Sequence, residues 1–276
     1  MEQFKEVIGL GIAGNFALHL EQAGESEDFK DLKVADENGP KGIFPFYLPA
    51  FESALGIYPL SSDTIFLPEY EANVQPEPEV ALICELQYEN DQVSAIIPKE
   101  FAAYNDCSIR KEGAKKISEK KNWGEASKGL STQRIAIDSF NEGGILDSWR
   151  IASFLRREDM VLRYGEDVEI SGYSYFHQKL LDWMRQQLNT QQDIGPLEPI
   201  SEYLKACGYP SQAVISIGAT RYSYLCEKTY IREDDEVSVV LYDSNVYQPN
   251  DILSRVYKRN LDAEGLSALV QQVKRA

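Results

Sequence analysis

Six short runs of β-branched and apolar residues, each stopped by Gly, Asp, Asn or Pro, limit what this chain can fold into. They are EVALICEL (79–86), QVSAIIP (92–98), RIAID (134–138), WRIASFL (149–155), AVISIG (213–218) and EVSVVLYD (236–243). Runs of this kind read as strands. Helical spacing is found in HQKLLDWMRQQL (177–188), in the tail LDAEGLSALVQQVKR (261–275), and in Asn15 to Ala23, where Phe16, Leu20 and Ala23 share a stripe. The strands do not alternate regularly with helices, as a doubly wound parallel sheet requires, so the pattern predicts a β-dominated α+β chain. IFPFYLPAF (44–51) is proline-broken and reads as extended chain or loop. Residues 1–60 therefore read as a small N-terminal lobe and residues 61–276 as one β core.

Charge and residue counts remove several function classes. With 28 Lys+Arg against 44 Asp+Glu the formal charge is −16, the wrong sign for a surface that contacts nucleic-acid phosphates. No apolar run reaches the ~20 residues of a membrane-spanning helix. The apolar stretch Val7 to Leu18 follows Glu2, Lys5 and Glu6 and is interrupted by three glycines and Asn15, unlike a signal peptide, so a cytoplasmic location is expected. Cys84, Cys107, Cys207 and Cys226 have no C-x-x-C spacing and read as inert thiols. His19 and His177 are the only histidines, which excludes a multi-histidine zinc centre. A metal site here must be built mainly from carboxylates.

Two local patterns carry chemistry. Gly9-Leu10-Gly11-Ile12-Ala13-Gly14 fits G-x-G-x-x-G between an apolar strand and a helix, and Asp36 stands where a ribose-binding acid would. Asn38-Gly39-Pro40 and the later chain supply no second crossover, so a backbone-bending glycine turn competes with a dinucleotide loop. Glu77-Pro78-Glu79 opens a strand, and residues i and i+2 of an extended chain face the same way. Such a pair is either a solvated strand end or a site for a hard divalent cation, Mg²⁺, Mn²⁺ or Ca²⁺. The basic run RKEGAKKISEKK (110–121) reads first as a solvated face, with an anion-attracting cover over a site as its functional alternative.

Taken in order, the segments Asn15-Phe16-Ala17-Leu18-His19, IFPFYLP, Glu77-Pro78-Glu79-Val80-Ala81, Asn105-Asp106-Cys107-Ser108-Ile109-Arg110, Lys128-Gly129-Leu130 and VISIGAT (214–220) resemble the fumarylacetoacetate hydrolase family over roughly residues 5 to 245. The resemblance implies a mixed β-sandwich or β-roll core, with the N-terminal lobe carrying a glycine turn and a lid helix. It implies that Glu77, Glu79 and Asp106 bind one divalent cation, Mg²⁺ foremost, with Lys128 facing the substrate. His19 then becomes a catalytic base, as a neutral imidazole suits proton transfer near pH 7. Arg110, Gly218 and Thr220 become substrate contacts, Arg110 being equally fitted to pair with Asp106.

The implied substrate is a small anion with a 2-oxo-acid or β-diketone unit, and the implied reaction is C–C cleavage, decarboxylation or tautomerisation through an enolate. The family also implies a homodimer. The chain departs from the family pattern where an acid three residues after the histidine is replaced by Gln22, expected to orient the imidazole, and where Ala219 replaces a threonine, leaving Thr220 one position away. These departures keep open a non-catalytic metal- and anion-binding member of the fold. A dinucleotide-binding oxidoreductase using Gly9, Gly11 and Gly14 is the remaining alternative.

Overall fold

Asn90 and Asp91, with φ of 51° and 62°, turn the chain between Glu89 and Gln92 and close a long antiparallel hairpin. Two central residues at positive φ make the tight turn whose twist matches its strands, and Asn and Asp tolerate that conformation. The computed structural model describes residues 1–24, 29, 36–111 and 113–275. Its strands in chain order are β1 (Ile8–Ala13), β2 (Gly42–Tyr47), β3 (Leu60–Ser61), β4 (Thr64–Leu67), β5 (Val74–Gln75), β6 (Pro78–Glu89), β7 (Gln92–Asn105), β8 (Ser108–Ile109), β9 (Lys128–Leu130), β10 (Ile135–Ala136), β11 (Trp149–Arg157), β12 (Met160–Arg163), β13 (Val168–Glu169), β14 (Gln212–Ser216), β15 (Glu236–Asp243) and β16 (Leu266–Arg275). The helices are α1 (His19–Ala23), α2 (His177–Thr190), α3 (Ile200–Ala206) and α4 (Pro249–Lys258). Each of the six expected strands is present, in a β-dominated α+β fold of mixed sheets.

One large sheet has the order β2-β1-β14-β6-β7-β9-β3, with β10 also on β7, a second has the order β12-β11-β15-β16-β4, with β13 on β11, and β5 pairs with β8 in a short third sheet. Apolar side chains of the two sheets meet in one core, where Phe101 packs edge-on against Trp149 at 4.8 Å between ring centroids. Helix α2 covers the first sheet with Leu180, Met184 and Leu188, all fully buried at four-residue spacing. Burying one such side chain contributes about 1.5–3 kcal/mol, which is why this stripe forms a helix against a sheet. The expected lobe over residues 1–60 supplies β1 and β2 to this same sheet, β1 running parallel to β14.

The tail departs from its expected helix. Gly265, at φ 76°, precedes a strand in which Ser267, Leu269, Gln271 and Val273 are buried at alternate positions. The apolar spacing of Leu266, Leu269, Val270 and Val273 fits either period. Pairing with β15 on one side and β4 on the other satisfies the backbone as a strand.

The glycine-rich start is not a phosphate loop either. Gly9 and Gly11 lie inside β1, between β2 and β14. A Cβ on Gly9 would stand 2.6 Å from Phe46 Cζ, and one on Gly11 would stand 2.7 Å from Phe44 Cε2. These glycines make room for two aromatic rings of the core, and Gly14, at φ 74°, ends the strand. Asp36 accepts from the Asn38 N–H at 2.9 Å and the Tyr175 hydroxyl at 3.1 Å, a turn role, while the preceding Leu32 to Ala35 lies outside the described residues. Gly9→Ala is expected to lower unfolding free energy by about 1–3 kcal/mol, as overpacking does. The same change at Gly143, where nothing lies within 4 Å, should cost only what its positive φ imposes. Urea denaturation checks this, and a Gly9→Ala protein as stable as wild type would contradict the packing role.

Candidate metal centre

The open end of the β6–β7 hairpin gathers three carboxylates. Its register places Glu79 opposite Tyr104 and Pro78 opposite Asn105. One step further the Asp106 N–H donates to the Glu77 carbonyl at 2.9 Å. Asn105 fixes that last step: its side-chain oxygen accepts from the Glu77 N–H at 3.1 Å and its amide donates to Gln271 on β16 at 3.0 Å. Ligand oxygens of Glu77, Glu79 and Asp106 consequently lie within 4.8 Å of one another, all three side chains buried. A set of oxygen donors with no nitrogen or sulfur suits a hard cation such as Mg²⁺, Mn²⁺ or Ca²⁺.

Buried carboxylates need compensation, and three cations supply it. Lys121 Nζ lies 2.7 Å from Glu77 Oε2 and 2.6 Å from Asp106 Oδ2. Arg110 Nη2 lies 2.9 Å from Glu77 Oε1, while its guanidinium also reaches Gln75 Oε1 and the Tyr222 hydroxyl, each at 2.7 Å. Lys128, at the start of β9, is fully buried, sits 3.2 Å from Asp106 Oδ1 and donates to the Cys107 carbonyl. Burial opposes the Glu77 charge, but Lys121 and Arg110 overcome it and hold this carboxyl far below the usual range. Burial, and then the Asp106 and Glu77 charges, push Glu79 well above it, although the Gly218 N–H donates to Glu79 Oε2 at 3.0 Å. The Cys107 thiol is pushed up to about 12 by burial, consistent with an inert thiol.

His19 opens α1 and lies beside this cluster, its ring 5.2 Å from that of Tyr222. It lines a cavity of about 10 Å³ together with Phe44, Glu77, Glu79, Lys121 and Ala219, room for one water-sized occupant. Sequence reasoning and structure thus place His19, Glu77, Glu79, Asp106, Arg110, Lys128 and Gly218 in one region. Arg110 pairs with Glu77 and not with Asp106. Thr220 does not take the place of the missing threonine: its hydroxyl donates to the Pro78 carbonyl at 3.2 Å, and Ala219 faces the cavity. Gln22 does not orient the imidazole. It donates to the Tyr222 carbonyl and to Glu227 Oε1 at 3.2 and 3.0 Å and accepts from the Tyr222 N–H at 2.9 Å, which ties α1 to the loop after β14.

Lys121 is the residue that sequence reasoning missed. The run 110–121 is not one solvated face, since Lys120 and Lys121 are buried. Nothing local in the run marks Lys121; its neighbour Asn122 is buried and donates to the Phe46 and Ile57 carbonyls at 2.9 and 3.0 Å, which fixes this stretch of chain against the core.

The profile of a family of unknown function (DUF5718) matches residues 25–273. The chain belongs to that family. No curated protein sequence matches it. Among solved structures, the DUF5718 chain is similar to 2-keto-3-deoxy-D-arabinonate dehydratase complexed with magnesium and 2,5-dioxopentanoate, at 14% identity and a TM-score of 0.55 over 98% of this chain and 73% of that one. It is similar to a yeast fumarylacetoacetate hydrolase family protein at 14% identity and a TM-score of 0.54, over 99% and 95% of the two chains. Maleylpyruvate hydrolase from Sphingobium sp. SYK-6 gives 10% identity and a TM-score of 0.54 over 98% and 71%. The DUF5718 chain therefore has the fumarylacetoacetate hydrolase fold. No helix among its described residues is long and apolar enough to cross a membrane.

Glu198 steadies the segment that carries Lys121. It accepts from the Ser118 hydroxyl at 2.8 Å, within the 3-10 turn Ile117–Lys120, and burial raises it from 4.5 to about 7. The folded state keeps this proton to higher pH than the unfolded chain, so stability falls as pH rises from about 4.5 to 7 and is level beyond. Glu198→Gln, which removes the titration, should gain on wild type by about 2 kcal/mol between pH 5 and pH 8 in chemical denaturation. A difference independent of pH would contradict this.

Proposed function

We propose that the chain is a divalent-metal-dependent enzyme acting on a small anionic substrate with a 2-oxo-acid or β-diketone unit, by C–C cleavage, decarboxylation or tautomerisation. The observation that carries this reading is the buried triad of Glu77, Glu79 and Asp106, whose oxygens lie within 4.8 Å of one another beside His19. The shared fold supports it, since neighbours named as a dehydratase and as a maleylpyruvate hydrolase are built on the same frame, one of them solved with magnesium.

Glu77, Glu79 and Asp106 would hold the cation, which when bound polarises the substrate carbonyl and stabilises negative charge developing on its oxygen. Arg110 supplies fixed positive charge, and Lys128 adds to it: burial favours loss of its proton, and the Asp106 carboxylate opposes that loss. Without a metal, Arg110, Lys121 and Lys128 already face Glu77 and Asp106 while Glu79 is pushed toward its neutral form, so a bound dication leaves an excess of positive charge that favours an anionic substrate. His19 is the group placed to move a proton at the cavity wall. Phe44 and the small Ala219 close the remaining wall and limit the space beside the carboxylates.

A non-catalytic, metal- and anion-binding member of the fold is the second reading, favoured by Gln22, which stands where the family pattern has an acid and is engaged with Tyr222 and Glu227. Turnover separates the two. Wild type is expected to consume oxaloacetate, an acylpyruvate or fumarylpyruvate only with Mg²⁺ or Mn²⁺. Glu79→Gln should bind Mn²⁺ at least tenfold more weakly in calorimetry and lose that turnover. Metal binding without turnover of any of the three compounds would replace the enzyme with the binding protein, and unchanged Mn²⁺ affinity in Glu79→Gln would remove the triad from the account.

A further inference from the structure

Every oxygen of Glu77 and Asp106 already faces a cation of the chain itself. Arg110 meets Glu77 Oε1 at 2.9 Å, Lys128 meets Asp106 Oδ1 at 3.2 Å, and Lys121 bridges the two residues, at 2.7 Å from Glu77 Oε2 and 2.6 Å from Asp106 Oδ2. A hard dication takes carboxylate oxygens at about 2.0–2.6 Å, so an ion shared by these residues and the bridging ammonium need the same place. The cavity beside them holds only about 10 Å³, and Lys121 is part of its wall.

We propose that the Lys121 ammonium is an internal counter-cation occupying the carboxylate triad, which a divalent ion must displace in order to bind. This rests on the metal reading above and adds a competitor to it.

The three cations are placed differently with respect to the cavity. Arg110 is also held by Gln75 and Tyr222, and Lys128 is wholly buried against the Cys107 carbonyl. Lys121 lines the cavity, where its ammonium lies 5.0 Å from the centre of the Phe44 ring. Its backbone is fixed from both sides, by Asn122 on the Phe46 and Ile57 carbonyls and by Ser118 on Glu198. The motion therefore belongs to the four-carbon side chain, and the fold around it stays in place. Metal-free protein keeps its carboxylates neutralised by this arrangement, and the metal is bound at an affinity lowered by the work of moving the lysine.

The test titrates MnCl₂ alone into wild type, Lys121→Met and Lys121→Arg in calorimetry, with thermal unfolding of each protein with and without saturating Mn²⁺. Lys121→Met is expected to bind Mn²⁺ at least tenfold more tightly than wild type, to melt lower without metal, and to show the larger upward shift with it. Lys121→Arg keeps the charge and should show no gain. Lys121→Gln, whose amide can still donate to both carboxylates, serves if the methionine protein does not fold, and it too should gain affinity. Equal or weaker Mn²⁺ binding after loss of the charge, with wild type still binding, would overturn the proposal and leave the metal site standing. An equal gain in Lys121→Arg would also overturn it. Binding by none of these proteins would overturn the proposal and the metal reading together.

Discussion

The pairing of β6 with β7 is the constraint on which the rest depends. A hairpin slipped by one residue turns every side chain to the opposite face, so the register that buries Val80, Leu82, Phe101 and Ala103 in the core is the same one that sets Glu77, Glu79 and Asp106 together at its open end. Apolar burial along the strands fixes a charged site that would be unfavourable by itself. Asn105, held by Gln271 from the other sheet, carries that register past the last ladder pair. The site thus lies where the two sheets meet, and its carboxylates are held by backbone and core as well as by their ion pairs.

Charge compensation follows from that placement. Three buried carboxylates close together are stable only if cations neutralise them or a proton stays on one of them, and the structure uses both: Lys121, Arg110 and Lys128 surround Glu77 and Asp106, and Glu79 is pushed toward its neutral form. This balance bears on function. On the proposed reading a ligand entering such a site changes its charge, so a cation and an anionic substrate would each alter the affinity for the other.

Much of this was legible in the sequence because its signals are local. The six strands announced themselves through β-branched runs between breakers, the E-x-E pair through the two-residue period, and the family resemblance through segments that keep their order along the chain. Features decided by distant partners were not legible. Gly9 and Gly11 fit a glycine turn or a dinucleotide loop, and not the interior of a strand, because nothing in the sequence says that Phe46 and Phe44 lie across them. The tail fits a helix until β15 and β4 offer it both edges. Gln22 was matched to its neighbour in sequence, His19, whereas its partners come from Tyr222 and Glu227. Lys121 lay hidden in a basic run, since burial of a lysine depends on carboxylates that the chain brings from 15 and more residues away. Helix α4 is a different case: Gln248 and Asp251 form a capping box around Pro249, a local signal that was present and went unread.

The central claim is that one dication is held jointly by Glu77, Glu79 and Asp106. An anomalous difference map from crystals grown with MnCl₂ tests it most directly. The account predicts one strong peak within about 2.0–2.3 Å of an oxygen from each of the three carboxylates. No peak there, or a peak bound elsewhere with the three carboxylates unchanged, would contradict it.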